Sequence, residues 1–254
     1  MNATSIVDRV INPRSPWKLP RANYRPWRPN YARSADYIRA LFARAHSGEA
    51  LAECEVACYF EYGCKDLAGR IFVRRSLRNQ VEWTVRSARH GDSAAQMALA
   101  AQLEKGRGME RDPIQALRWL KKAARAGDGS AANNIAITYR EYGNLRRAVN
   151  WFRASIALGD DETRIQLGVH QYWGIGVRAD QCAAVSGFKK ASKAKFITEA
   201  GRDDAYFYLG VAYLEGKGVR QSASKARKML ERANRDNDHP AAAKLLKLLD
   251  SNAQ

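Results

Sequence analysis

Residues 115–128 read QALRWLKKAARAGD, and segments of the same form recur along the chain. The central aromatic residue is Trp119, and its counterparts in the other segments are Trp83, Trp151, Phe188 and Met229. The intervals between these positions are 36, 32, 37 and 41 residues. Periods of about 20–50 residues indicate repeated structural units, and such units stack because none buries its apolar face alone. The sequence therefore predicts a helical array in which the recurring aromatic residue has a structural role.

A second recurring pattern precedes each of these segments. Its clearest copy is Leu209-Gly210-x-x-Tyr213-x-x-Gly216-x-Gly218-Val219, and further copies begin at Leu167, Leu99, Ile135 and, in degenerate form, Val56. The small residue after the leucine lets a second helix approach closely. Paired glycines permit the positive φ angles of a tight turn. The Gly-Asp that closes each segment is typical of one helix ending and another beginning. Each repeat is thus predicted to be a pair of helices.

This combination resembles the Sel1-like repeat family, which is part of the tetratricopeptide-like helical repeat superfamily, over roughly residues 50–238. The resemblance implies an all-α fold: a right-handed α-α superhelix, or solenoid, of helix pairs. It also implies protein–protein interaction, by adaptors and scaffolds that assemble or regulate bacterial complexes. Two copies depart from the pattern. The third has a shortened turn at residues 141–148, and the fourth has no tryptophan and carries extra residues before Gly201.

Four regions are predicted along the chain. Residues 1–33 are an extended arm rich in proline, arginine and aromatic residues, because each proline removes an amide donor and disfavours helix. Residues 34–48 are an N-terminal capping helix, 49–238 contain about five repeats, and 239–254 are a C-terminal capping helix and tail. The arm either packs along the helices or becomes ordered on a partner. Basic residues interleaved with aromatic ones also suit stacking on single-stranded nucleic acid.

The chain is strongly basic, with 43 Lys and Arg against 26 Asp and Glu and a formal net charge of +17. Such a charge attracts acidic proteins, nucleic acid or anionic membranes, although a solvated basic face would need no partner. No stretch approaches the ~18 apolar residues of a membrane span. The N-terminus has no apolar core of a signal peptide. We therefore expect a cytoplasmic protein without a membrane span.

Catalytic and metal-binding patterns are not recognised. Cys54, Cys58 and Cys64 have the spacing C-x3-C-x5-C, which with His90 as a fourth ligand matches no common zinc module. The cysteines lack the regular pairing of disulfide-stapled relatives, which agrees with a reducing compartment. The histidines have no triad partners at recognisable spacing, and the glycine turns lack the features of a phosphate loop. The sequence therefore predicts neither an enzyme nor a bound cofactor or metal.

A binding surface is expected on the first helix of each pair, which lines the concave face in tetratricopeptide relatives. With that phase, positions two before and two, five and six after the core leucine face a groove. The partner-binding residues predicted this way are Tyr172, Trp173, Phe207, Val169, Leu214, Asn133, Arg140, Met97 and Lys105. Tyr172, Trp173 and Phe207 are the expected anchors, because aromatic side chains dominate binding hot spots. The alternative is that these three only seal the joints between repeats.

Much of the basic charge is expected on the opposite, convex face made by the second helices. Contacts with an anionic partner are predicted at Arg21, Arg25, Arg28, Lys189, Lys190 and Lys193. The first functional hypothesis is an adaptor that holds a partner protein with an acidic or apolar segment in its groove, an immunity protein being a narrower version. The alternative is a nucleic-acid-associated protein that uses the convex face and the arm.

Overall fold

A computed structural model describes residues 7, 10–12, 17 and 32–251 of the chain. This part contains twelve helices and three short strands. The helices are α1 (Ala35–His46), α2 (Ala50–Tyr62), α3 (Leu77–His90), α4 (Ser93–Lys105), α5 (Pro113–Arg125), α6 (Gly129–Glu141), α7 (Leu145–Ala157), α8 (Thr163–Trp173), α9 (Gln181–Lys193), α10 (Glu199–Glu215), α11 (Ala223–Ala233) and α12 (Pro240–Ser251). The strands are β1 (Ala32–Arg33), β2 (Cys64–Asp66) and β3 (Ile71–Val73).

The all-α class predicted from the repeats is confirmed, since 70% of the structure is helical. The helix ends follow the Gly-Asp pattern. Gly91 ends α3 with φ of 104°, and the side chain of Asp92 accepts a hydrogen bond from the Ala95 amide at the start of α4. Asp128 does the same for Ala131 at 2.9 Å. A carboxylate in this position satisfies an amide that the first helical turn leaves unpaired. None of the described helices is long and apolar enough to cross a membrane.

The small sheet was not predicted from the sequence. β2 pairs with β1 in parallel and with β3 in antiparallel orientation. Cys64 lies opposite Val73 and Lys65 opposite Ile71, so Phe72 is an extra residue in β3. An extra residue of this kind forms a β-bulge, which bends the strand and redirects a side chain.

The chain divides into two compact units, which we name the N-terminal unit (residues 26–135) and the C-terminal unit (residues 1–25 and 136–254). In the N-terminal unit, Ile38, Leu41, Val56, Tyr59 and Trp83 belong to one buried cluster. The larger cluster of the C-terminal unit is built mainly from α8 to α12. It includes Phe188, Phe207, Leu209, Leu230 and Leu245.

The recurring aromatic position is not equally buried in all repeats. Trp83 and Phe188 are buried, whereas Trp119 and Trp151 are half-buried. The Lys122 ammonium lies 5.0 Å from the centroid of the Trp119 ring, which is within cation–π range. Trp119 is therefore a partly solvated side chain, and the destabilisation expected for removing a fully buried tryptophan does not apply to it.

The small residue after each core leucine allows close packing, as predicted. A Cβ added to Gly168 would lie 2.6 Å from Cε1 of Phe188, and one added to Gly210 would lie 2.8 Å from the Leu230 side chain. Both partners lie on the second helix of the same repeat, and both are fully buried. The leucine-glycine motif thus marks the contact between the two helices of a repeat.

Candidate functional site

The N-terminal arm contributes to the core of the C-terminal unit. Val7 and Ile11 are buried in the same cluster as Val169 and Tyr172 of α8, and Trp17 packs against that cluster. The Ile11 amide donates to the Val7 carbonyl at 2.9 Å, so these residues form a helical turn where an extended arm was expected. The sequence left open whether the arm packs on the helices or becomes ordered on a partner. For these described residues, the structure shows packing on the helices.

Trp17 lies on an aromatic and cationic seat formed by first helices α6 and α8 together with α7. Its ring is parallel to the His170 ring, with centroids 5.2 Å apart and an interplanar angle of 4°. Phe152 of α7 contacts His170 at 5.3 Å. The Arg140 guanidinium lies 4.8 Å from the Trp17 ring centroid and 5.8 Å from that of Phe152. We call Arg140, Phe152, Gln166 and His170 the Trp17 seat.

The seat is held in place by hydrogen bonds. Nη1 of Arg140 donates to Oε1 of Gln166 at 2.7 Å, and Nδ1 of His170 lies 2.7 Å from the Ile175 carbonyl oxygen. Neither Nε of Arg140 nor Nε2 of His170 has a hydrogen-bond partner among the described residues. A buried polar atom without a partner is costly, so this surface keeps unused hydrogen-bonding capacity beside the stacked rings.

Burial controls the charge of the seat. It lowers the pKa of His170 to about 4, and the nearby positive charge of Arg140 acts in the same direction. Burial also lowers the pKa of Arg140. At neutral pH the imidazole is therefore uncharged, and the positive charge of the seat comes from the guanidinium of Arg140.

Acidification should destabilise the C-terminal unit through His170. The unfolded chain gains a proton on this residue near pH 6.5, whereas the folded chain does so only near pH 4. Stability is therefore lost as the pH falls through this window. The melting temperature measured between pH 7 and 4 should fall more steeply for the native chain than for His170→Gln, which keeps a side-chain donor.

The comparison with His170→Gln separates this effect from other titrations. Burial raises the pKa of Asp203 to about 6, so Asp203 contributes a slope of the opposite sign, with stability lost as the pH rises. Asp203 is present in both proteins, so its contribution to the pH dependence cancels when the two melting curves are compared. Parallel melting curves for the two proteins would contradict the assignment to His170.

Four of the predicted groove residues are buried in the core. Val169 and Phe207 have no exposed surface and Tyr172 and Leu214 are each 3% exposed, so these side chains offer no surface to a partner. Val169 and Tyr172 lie on α8 in the same cluster as α10, and Phe207 and Leu214 lie on α10, which is buried around most of its circumference. A helix that is apolar on all sides belongs in a core, and the groove phase taken from other helical repeats does not apply to it.

Tyr172 and Trp173 have different environments at the end of α8. Tyr172 is buried, and its hydroxyl donates to Oε2 of Glu215 at 2.7 Å. Burial and this carboxylate raise the pKa of Tyr172. Trp173 is half-buried, with its ring centroid 4.6 Å from that of Tyr172 and 6.0 Å from that of Tyr208. Trp173 is thus the expected anchor that still offers surface to a partner.

The remaining predicted site residues are distributed over both units. In the N-terminal unit Met97 and Asn133 are half-buried and Lys105 is exposed. In the C-terminal unit Lys189, Lys190 and Lys193 are exposed, as predicted for a basic face. Arg21, Arg25 and Arg28 lie outside the described residues. The binding role of all these residues stays a prediction.

Sequence reasoning missed Trp17, His170 and Gln166. A weak signal existed for His170, because it lies three residues after Leu167 on a first helix and is one of only four histidines. A hydrogen bond to Cys58 and burial raise the pKa of Cys54, which does not favour its thiolate. Within the described part of the chain, no three His, Cys, Asp or Glu side chains are grouped as metal ligands.

Comparison with known proteins gives the family. The Sel1 repeat profile matches residues 93–128, 130–160, 163–195 and 203–238. The chain belongs to the Sel1 repeat family. The degenerate copy predicted at Val56 lies outside the matched residues, while the four matches begin at the start of α4 and end after α11.

Solved structures with a similar fold are also found. A Sel1 repeat protein from Oxalobacter formigenes is 21% identical, with a TM-score of 0.67, over 83% of this chain and 81% of that one. The protective antigen c5321 of uropathogenic Escherichia coli, described as an SLR fold, is 23% identical with a TM-score of 0.55, over 85% of this chain and 52% of its own. The immunity protein Pa5087 of Pseudomonas aeruginosa has 17% identity and a TM-score of 0.48, over 80% of each chain.

Proposed function

We propose that this protein is a non-enzymatic adaptor or scaffold that binds a segment of a partner protein on the first helices of its C-terminal unit. Sel1 repeat proteins generally mediate protein–protein interactions. The observation that supports the location is the Trp17 seat, where an aromatic side chain from outside the repeats stacks on His170 beside Arg140. A surface that accepts one aromatic segment from its own chain has the chemistry to accept a similar one from another.

The partner segment suited to this surface is apolar or aromatic with acidic residues. Trp173 offers a half-buried aromatic face, and Arg140 offers a cation whose Nη1 donates to the uncharged amide oxygen of Gln166. Aromatic residues and arginine are enriched among binding hot spots. A regulatory, assembly or immunity role is compatible with this chemistry. The cytoplasmic location expected from the sequence belongs to the same proposal.

Partner capture should respond in opposite directions to two tryptophan variants. Trp173→Ala removes a contact and should reduce capture, whereas Trp17→Ala vacates the seat and should increase it. Affinity purification with quantitative mass spectrometry, after nuclease treatment, measures both effects. Trp119→Ala is the matched control, because Trp119 is also half-buried but lies in the N-terminal unit. Equal capture by all four proteins would contradict a site in the C-terminal unit.

One observation favours the alternative of nucleic-acid binding. Phe196 is 86% exposed between α9 and α10, and the Lys195 ammonium lies 5.1 Å from its ring centroid. Lys189, Lys190 and Lys193 are exposed on the adjoining helix. Exposed aromatic rings with nearby cations suit base stacking and phosphate contacts on single strands.

Salt dependence distinguishes the two functions. If single-stranded nucleic acid is the partner, log affinity should fall with log salt at a slope of about −0.7 per phosphate contact. We expect instead that random-sequence DNA and RNA bind no tighter than the ~10⁻⁴–10⁻⁶ M typical of non-specific complexes. Tighter binding that disappears when Lys189, Lys190 and Lys193 become glutamate would establish the nucleic-acid function instead.

A further inference from the structure

The N-terminal unit contains an apolar cavity with a basic rim that the proposed function does not use. Its volume is ≈420 Å³, within the range of small-ligand pockets. Its apolar lining is Phe42, Phe60, Phe72 and Val73, and its basic lining is Arg74 and Arg75. We call it the Phe60 pocket. It lies beside the bulge of β3, where the additional residue is Phe72, 39% exposed.

The walls of the Phe60 pocket are fixed by packing. The Phe42 ring meets Phe60 edge-on at 6.1 Å and Trp83 edge-on at 6.4 Å. The Ser76 amide donates to the Phe60 carbonyl at 2.9 Å. Arg75 is held at the rim because its Nε donates to the Glu61 carbonyl at 3.0 Å. The cavity is therefore preformed, which lowers the entropic cost of binding.

A second, smaller cavity adjoins the first. Its volume is ≈140 Å³, and it shares Phe60, Arg75 and Ser76 with the Phe60 pocket. Gln80 also lines it. The Gln80 side chain is 5% exposed, and its Oε1 accepts no hydrogen bond from any described residue. A buried amide oxygen of this kind requires a donor, and a backbone N–H is the donor that a peptide supplies.

The charge around the Phe60 pocket indicates the remaining chemistry of the partner. Residues 64–78 carry five cationic side chains and one acidic side chain, Asp66, which pairs with Arg70 at 2.8 Å. The cations of this segment without an ion pair among the described residues are Lys65, Arg74, Arg75 and Arg78. Ser76 and Asn79 bring the N-terminus of α3 to the same pocket, and helix N-termini favour negative charge. The rim therefore complements carboxylates.

We propose that the Phe60 pocket binds a short peptide segment of a partner protein, in which an apolar side chain is flanked by aspartate or glutamate. The apolar side chain fills the cavity between Phe42, Phe60 and Phe72. An adjacent backbone N–H donates to Oε1 of Gln80, and the acidic side chains pair with Arg74 and Arg75. This surface lies wholly in the N-terminal unit and is independent of the Trp17 seat.

A membrane surface would use some of the same features, since Leu67 and Ile71 are exposed near these cations. Two observations favour a peptide. The concave space between Phe42, Phe60 and Phe72 has the size to hold a side chain, and the Oε1 of Gln80 is a buried acceptor beside it, which the backbone N–H of a seated peptide would satisfy. The membrane is therefore an outcome of the test.

Selection from a random library tests the proposal. Phage-displayed 12-residue peptides are panned on the immobilised full chain after depletion on the Arg74→Glu variant. The enriched peptides should share an apolar residue flanked by Asp or Glu. Affinities of a fluorescein-labelled copy of the most enriched peptide are then measured by fluorescence polarisation. We expect at least a tenfold loss with Arg74→Glu and with Phe72→Ser, both surface changes, and a smaller loss with Gln80→Leu.

Matched controls keep the result interpretable. Arg118→Glu makes the same charge reversal at an exposed arginine of α5 and should bind as the native chain does. Circular dichroism verifies that each variant is folded.

Absence of enrichment, enriched peptides without acidic residues, or unchanged affinity in Arg74→Glu and Phe72→Ser would overturn the proposal. Arg74-dependent binding to vesicles of phosphatidylcholine and phosphatidylserine, without peptide enrichment, would assign the surface to lipid. Trp173→Ala should leave peptide affinity unchanged, so failure here is distinct from failure of the proposed function.

Discussion

Replacing Phe188 with alanine is expected to lower the free energy of unfolding by about 3–5 kcal/mol, the usual cost of truncating a fully buried phenylalanine. The ring has no exposed surface, stacks on Tyr208 at 5.2 Å and lies against the backbone of Gly168. The glycine leaves no side chain that could move into the vacated space. Urea denaturation of the purified protein measures the change.

Two matched variants calibrate this result. Phe196→Ala removes the same atoms from a ring that is 86% exposed and should change stability by less than about 0.5 kcal/mol, as surface substitutions do. Trp119→Ala should fall between the two, because its ring is half-buried. A Phe188 variant no less stable than the Phe196 variant would show that the cluster around α9 and α10 is not the core of the C-terminal unit.

Gly218→Ala should lower the free energy of unfolding about as much as Phe188→Ala does, for a different reason. Gly218 has φ of 73°, and an added Cβ would overlap the carbonyl oxygen of Gln181 at the start of α9. Left-handed backbone costs an L-residue ~1–2 kcal/mol, and overpacking adds ~1–3 kcal/mol. Backbone atoms cannot rotate away as a side chain can, so we expect a total near the upper end, about 3–5 kcal/mol.

Gly143→Ala separates the two contributions. Gly143 has φ of 76°, but nothing lies within 4 Å of its added Cβ. This variant should therefore show only the backbone strain, ~1–2 kcal/mol. Chemical denaturation of both variants gives the difference, which is the cost of the steric contact. Equal destabilisation by the two substitutions would show that the approach to Gln181 relaxes freely.

The sequence was sufficient for the helix pairs because their signals are local. Gly-Asp motifs ended and began helices as predicted, and Gly168 marked a close helix contact. The close contact between Gly218 and Gln181 could not be predicted, because Gln181 begins a helix more than 30 residues earlier in the chain. The same holds for Gly176, whose added Cβ would lie 2.6 Å from the backbone of Leu145. The local sequence pattern indicates only that these two glycines have positive φ angles.

The candidate site was predicted less well than the fold. Trp173 and Arg140 are half-buried, whereas Val169, Tyr172, Phe207 and Leu214 are buried, because burial depends on what covers a helix. Val7 and Ile11 of the arm share the cluster of these residues, and three apolar positions at helical spacing, with Val10 between them, are too few to indicate where the segment docks. The β-bulge at Phe72 was missed because three-residue strands carry no recognisable alternation.

If a partner binds the Trp17 seat as proposed, Trp17 is a tethered competitor, because it belongs to the same chain as the surface it covers. A tethered group acts at an effective concentration set by its connection to the site, and a free partner must overcome it by binding more tightly. The observed dissociation constant then exceeds the intrinsic one by the ratio of all molecules to open molecules. Any change that shortens, cuts or modifies the arm would set the threshold concentration at which a partner is captured, without altering a single contact in the repeats.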